Sequence, residues 1–421
     1  MGDPRQDLDE VFRAQWGRLL SLLVARFRRL DLAEDGLADA FEAAARTWPS
    51  DGMPASPAAW LLTSARRRVV DRLRAEAVAA RKEPLLVVDE EVRHSAAGVM
   101  ADPGGLLGDE RLRLVYLCTH PSLAPESAAA LSLRLVLGVP TPDIARLFLV
   151  PEATMAARLT RAKRKLAAAG APFVVPEGES RVARTATVLS VVYLAFTSGY
   201  APASGSDVTR AEIAAEAIRL ARVLRELMPG GAGVDALLAL MLLQHSRRDA
   251  RTGDEGLPVL LPDQDRGRWR QDEIGEALGL LTPIVEAGVR PPGRSQEFLL
   301  QALIASEHAV APSASATRWD RIASHYAELE HLTGSPVVRL NHAVAVAEAS
   351  GPDAGLALLE GLEQRLPRSH RLAGVRGELL LRANRADEAA RSFEAAVELC
   401  ANEAERSLLQ RRRDAAIADV S

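Results

Sequence analysis

The densest chemistry in this sequence is cationic. Residues 152–168 carry Arg158, Arg161, Lys163, Arg164 and Lys165 against one acid, Glu152, a local charge of +4. Ahead of these cations stand Ala153, Thr154, Ala156 and Ala157. Small side chains at a helix start allow close approach to base edges, while Arg and Lys behind them reach phosphates, which is the chemistry of major-groove reading. Residues 57–74 repeat the balance with Arg66, Arg67, Arg68, Arg72 and Arg74 against Asp71. This second basic segment also holds Trp60 and follows a Pro-rich loop with Trp48 and Met53. Cations beside aromatic rings suit a single-stranded backbone and unstacked bases. The plainer alternatives are a solvated helix face for the cations and ordinary core for Trp60, whose neighbours Leu61, Leu62 and Val69 are apolar.

Other reactive groupings lack partners. Glu328-x-x-His331, with His325 one turn earlier, has the spacing of a carboxylate-bridged metal site, but such a site needs a second pair on another helix, and none is found. It reads as polar helix surface. Cys118-x-His120 has the residue types of a thiol nucleophile and its base, yet its neighbourhood is apolar, so it reads as packing. Asp263-Gln264-Asp265-Arg266 reads as a turn and helix cap, with an interdomain contact as its functional alternative. No enzymatic activity, metal or cofactor is expected.

The elements that must position the two basic segments are helical. The 421 residues are 48% hydrophobic but only 4% aromatic, and Ala, Leu and Val dominate, a mixture that favours helices over sheets. An all-α protein of several domains is expected. Apolar residues recur at helical spacing over 8–30, and a second amphipathic segment covers 32–48 before Pro49, Gly52, Pro54 and Pro57 force a loop. Ser56 before Pro57 opens a third helix through 74. These three make a small domain over 5–75, followed by an aperiodic linker over 76–108. A second helical unit spans 109–170 and ends as a helix-turn-helix: Thr141 caps a helix over 142–149, Val150-Pro151 turns, and 152–168 forms the longer helix. The remainder, 177–421, is helical throughout. Ala354 and Leu358 recur as Ala389 and Phe393, a weak repeat of 35 residues within 337–421, near the roughly 34-residue tetratricopeptide period.

Charge and cysteine usage bound the partners. The net charge of −4 means that any nucleic-acid contact rests on the local patches. Two distant cysteines make no disulfide framework and fit a reducing cytoplasm. The polar, acidic residues 1–10 lack the order of a signal peptide, and the most apolar stretches, 188–196 and 236–243, are too short to span a bilayer, so they are expected as buried helices and no membrane is expected as a partner.

Three segments taken together resemble a known family. LAEDGLADAFEAAARTW, then PxxWLLTSARRRVVDRLR, then TPDIARLFLVPEATMAARLTRAKRKL are similar, in that order, to regions 2 and 4 of the extracytoplasmic-function group of sigma-70 family RNA polymerase sigma factors. Further stretches, among them VVYLAFTSGY, LPDQDRGRW and SPVVRLNHAVAVAE, resemble the subgroup with a long tetratricopeptide-like C-terminal extension. The resemblance implies that Glu34, Asp35, Asp39, Phe41 and Glu42 dock on the clamp coiled coil of the largest polymerase subunit. It implies that the 48–57 loop with Trp48 and Met53 captures a flipped minus-10 base, and that Trp60, Arg66, Arg67, Arg68 and Arg72 melt and hold that element. Glu152, Ala153, Thr154, Ala156, Ala157, Arg158, Arg161 and Arg164 would read the minus-35 element, with the flap of the second-largest subunit as a further partner.

The function implied is promoter recognition with core RNA polymerase, the extension acting as a fused regulator in intramolecular contact with regions 2 and 4. Two rival classes are a helix-turn-helix regulator that works without polymerase and a helical-repeat scaffold. The linker-joined order of the two regions argues against the first, and the placement of the basic patches against the second. The broken periodicity near Pro176 marks an expected boundary, at which truncation would leave two intact DNA-binding domains.

Overall fold

The computed structural model describes residues 4–79, 105–148, 150–198, 208–251, 259–400 and 403–418. Among these every regular element is a helix, as the composition implies. Leu149, in the expected turn, and most of the expected 76–108 linker lie outside the described residues. The chain divides into two compact units, 1–230 and 231–421.

The first unit opens with a three-helix bundle, α1 (Pro4–Phe27), α2 (Leu30–Asp51) and α3 (Pro57–Ala79). Arg28, at φ 54°, breaks the chain between α1 and α2, so Asp31 lies in the first turn of α2 and is not itself the turn. Pro49 does not end α2 as expected. It stands in the last turn, where it removes one helix bond and the helix continues for two more residues, and Gly52 (φ 83°) closes the helix by donating to Trp48 O at 3.0 Å. Gly36 lets α3 approach closely, since a Cβ there would lie 2.8 Å from Val69 Cγ2.

Next come α4 (Gly105–Cys118), α5 (Pro125–Val136), α6 (Thr141–Leu147) and α7 (Glu152–Ala168). Thr141 is the first helical residue of α6 and not its cap. Pro140 takes the cap position, and its carbonyl accepts from Ile144 N at 3.0 Å. The helices α8 (Gly178–Ser198) and α9 (Val208–Leu227) pack on α4 and α5, so the first unit runs well past Pro176. Stretch 188–196 is buried there through Val188, Leu189, Val192 and Phe196.

The second unit starts at α10 (Ala232–His245), which is buried along almost its whole length and packs on α11 (Gln271–Glu286) and α12 (Arg294–Val310). Three short 3-10 turns, Arg248–Ala250, Leu261–Asp263 and Arg266–Arg268, lie between α10 and α11. Paired helices follow: α13 (Trp319–Thr333), α14 (Pro336–Ser350), α15 (Pro352–Leu359), α16 (Leu362–Arg365), α17 (His370–Arg382), α18 (Ala386–Leu399) and α19 (Glu403–Ala418). The repeat is present in a shifted register. Gly355 and Leu359 are the buried counterparts of Ala389 and Phe393, an offset of 34 residues, whereas Ala354 and Leu358 are only half-buried. The glycine decides this register, because a Cβ at 355 would lie 2.7 Å from Ala343 O across the α14–α15 contact.

Candidate nucleic-acid interface

Helices α6 and α7 form the expected helix-turn-helix, closed by Val150 N donating to Ala145 O at 3.1 Å. Met155, Leu159, Ala162 and Leu166 face the core at helical spacing. Glu152, Ala153, Thr154, Ala156 and Ala157 are exposed along the opposite side, with Arg161 and Arg164 behind them. Arg158 is half-buried with its guanidinium 5.9 Å from the Phe148 ring centroid. The face that a major groove would meet is therefore small at its leading end and cationic behind.

Lys163 does not belong to that face. Its ammonium donates to Glu34 of α2 at 2.9 Å, and Arg134 of α5 donates to the same carboxylate at 2.8 Å. The Glu34 side chain is only 7% exposed. Arg134 also lies 5.2 Å from the Trp16 ring centroid, next to the Phe12, Trp16 and Phe41 aromatic group. Beside this clasp Gly17 brings α1 onto the end of α5 so closely that a Cβ would fall 2.1 Å from Val136 O. Sequence reasoning placed Lys163 with the phosphate-facing cations. Its position four residues after Leu159, on the edge of the buried stripe, was the available signal; Arg134 carried none.

The five positions of α2 assigned to polymerase docking separate by environment. Asp35 and Glu42 are exposed and Asp39 is half-exposed, whereas Glu34 is held in the clasp and Phe41, 6% exposed, packs on Phe12 and Trp16. Of the five, Asp35, Asp39 and Glu42 reach the surface, while Phe41 supports α2 from beneath.

The second basic helix is partly neutralised by α2. Arg72 donates to Asp35 at 2.8 Å and to Asp39 at 2.9 Å, and Arg68 lies 3.8 Å from Asp39. Arg67 is exposed and Arg66 half-buried, with burial and the nearby Arg26 lowering the Arg66 pKa. Trp48 is 7% exposed and meets Trp60 edge-on, ring centroids 5.5 Å apart, so Trp48 is core while Trp60 keeps one side open. Met53 is exposed on the loop after α2.

The remaining groupings behave as packing and caps. Cys118 is buried, which pushes its thiol pKa far up, and His120 pairs with Ser122 at 2.9 Å. Glu328 is taken by Arg290 and Gln296, and no group of His, Cys, Asp and Glu able to hold a metal occurs among the described residues. Asp265 caps its turn by accepting from Gly267 N at 2.9 Å. No described helix is long and apolar enough to cross a membrane.

Comparisons agree with this geometry. Residues 12–78 match Sigma-70 region 2, residues 113–166 match Sigma-70 region 4, and residues 184–284 match a family of unknown function (DUF6596). An uncharacterized protein of Rhizobium meliloti (strain 1021) is 40% identical over 396 residues, covering 94% of this chain and 92% of its own length. With a basic helix-turn-helix and a three-helix bundle each lying where its region matches, the chain belongs to the sigma-70 family of RNA polymerase sigma factors, of the extracytoplasmic-function type with an added C-terminal domain.

Proposed function

We propose that this sigma factor, whose role is promoter recognition, docks on the clamp coiled coil of the largest polymerase subunit through Asp35, Asp39 and Glu42 of α2. In this reading Trp60, Met53, Arg66 and Arg67 hold the opened minus-10 strand, α7 reads the minus-35 element, and region 4 meets the flap of the second-largest subunit. Strand opening is driven by stacking and phosphate contacts, which offset a few kcal/mol per unstacked step, and the chain itself makes or breaks no bond. Its workplace is the cytoplasm, with the polymerase.

We further propose that the free chain is held closed and that polymerase opens it. The observation carrying this is the Glu34 clasp, which joins the polymerase-docking helix to the DNA-reading helix. The minus-10 and minus-35 elements stand about 25 base pairs apart, or roughly 85 Å of duplex. A compact body of 230 residues is only about 45 Å across. Regions 2 and 4 must part to engage both elements together. A second tie reaches region 2 from the segment after region 4, where Arg28 donates to Phe173 O at 3.3 Å.

The test is a pull-down of the full chain on core polymerase followed by run-off transcription, comparing the parent with Lys163→Met. The variant should bind core more tightly without any change on α2. A regulator that works without polymerase would instead bind promoter duplex tightly and specifically on its own, and that result would overturn the proposal.

A further inference from the structure

In the second unit one cluster of cations is not accounted for by helix packing. Trp269, 3% exposed, has the Arg266 guanidinium 4.6 Å and the Arg247 guanidinium 5.9 Å from its ring centroid. Arg266 also donates to the carbonyls of His308 and, at 2.9 Å, Ala311, so it closes the end of α12. Arg247 has no comparable use. Among the described residues no carboxylate or carbonyl pairs with it, and three described acids of the surrounding turns and α11 are occupied. Glu273 is taken by His245 at 3.0 Å and Arg248 at 2.9 Å, Asp249 by Arg270 at 2.6 Å, and Asp265 by Gly267 N at 2.9 Å.

The third member is His308 of α12, which meets Trp319 of α13 edge-on with ring centroids 5.1 Å apart. The charged groups acting on it are Arg247 beyond α10 and Arg266 of the last 3-10 turn, while its neighbour Glu307 is turned to Arg318 at 2.9 Å and Arg321 at 3.4 Å. Burial and those two cations push the His308 pKa down to about 4. Burial also pulls Arg247 down to about 10. Close by in the chain, Trp269 Nε1 and Gln264 Oε1 are buried without a hydrogen-bond partner. Two desolvated cations around one indole are costly unless a counter-charge arrives, and planar guanidiniums match oxyanions best.

We propose that Arg247, Arg266 and His308 form a binding site for a small phosphate-bearing molecule. Two guanidiniums balance the two charges of a phosphate dianion. Its arrival cancels the field of the two guanidiniums at His308, so the pKa of the buried imidazole rises on binding. The added domain thereby acquires a small-molecule input.

The experiment is calorimetric titration of the full chain with inorganic phosphate at about pH 8, where the dianion predominates, at ionic strength held constant with chloride. Saturable binding is expected, and acetate, a single charge, should bind at least tenfold more weakly. Arg247→Met should weaken phosphate at least tenfold, whereas His308→Gln should keep binding within a few fold. Phosphate heats no different from chloride, or Arg247→Met binding like the parent through the exposed cations of α7, would overturn the proposal. Should Arg247→Met fail to fold by circular dichroism, Arg247→Gln decides: unaltered phosphate affinity refutes the site.

Discussion

Replacing Glu34 by Ala removes the one carboxylate shared by Arg134 at 2.8 Å and Lys163 at 2.9 Å. A hydrogen bond to a charged group is worth about 1.5–3 kcal/mol, which sets the gross loss for two of them at roughly 3–6 kcal/mol. The stranded cations do not pay a full burial penalty, because the side chains of Arg134 and Lys163 are 21% and 29% exposed and can turn to water. The net cost to the contact between regions 2 and 4 then sits near the lower end, about 3 kcal/mol, where a fully buried broken pair would cost up to about 5 kcal/mol. About 3 kcal/mol moves the ratio of open to closed chains roughly 150-fold. The assay is single-molecule energy transfer between dyes on exposed Ala75→Cys and Ala167→Cys, made selective because the native Cys118 and Cys400 are both buried. Glu34→Ala and Lys163→Met should each shift molecules to low transfer, and the double variant should shift them by less than the sum. Transfer distributions that match the parent in both single variants would refute the clasp. Because Lys163→Met leaves α2 intact, its effect separates opening from any direct role of Glu34 on polymerase.

Arg161→Ala, on the exposed face of α7, should weaken minus-35 binding and lower the salt slope by about one unit, read from promoter binding by the holoenzyme across a salt series. A chain ending at Gly230 should stay folded, while one ending at Pro176 should aggregate, because it loses the helix that buries Val188, Leu189, Val192 and Phe196; light scattering and circular dichroism compare them. His308 stays neutral when folded down to about pH 4, while unfolded it takes its proton near 6.5, so the unfolded chain binds more protons between these values and stability falls as pH drops through that window. From pH 7 to pH 5 that single group should cost roughly 2 kcal/mol, and urea denaturation of His308→Gln should lose that part of the slope.

The helical class, and the helices and faces of regions 2 and 4, were legible because amphipathic periodicity is local. The stripe Met155, Leu159, Ala162 and Leu166, and the small residues opposite it, can be read from α7 alone, and Gly, Pro and composition located the breaks. Motif order over regions 2 and 4 was sufficient for the family, since the residues that touch DNA must stand in sequence along short helices. The 34-residue register of the repeat was one residue off because a close approach between α14 and α15, and not hydrophobicity, selects Gly355.

What only the tertiary structure decided is which charges meet. Glu34 and Arg134 are a hundred residues apart, and Lys163 lies further still. Nothing in local spacing distinguishes a cation that will face phosphate from one that will cross to another helix. The same holds for Phe41 and Trp48, which read as surface by motif yet are drawn inside by Phe12, Trp16 and Trp60. It holds also for the compact boundary at Gly230, past the break near Pro176, since apolar burial of α8 on α4 and α5 follows from shape across the fold. Periodicity is a property of a segment, whereas pairing and burial belong to surfaces brought together from distant segments.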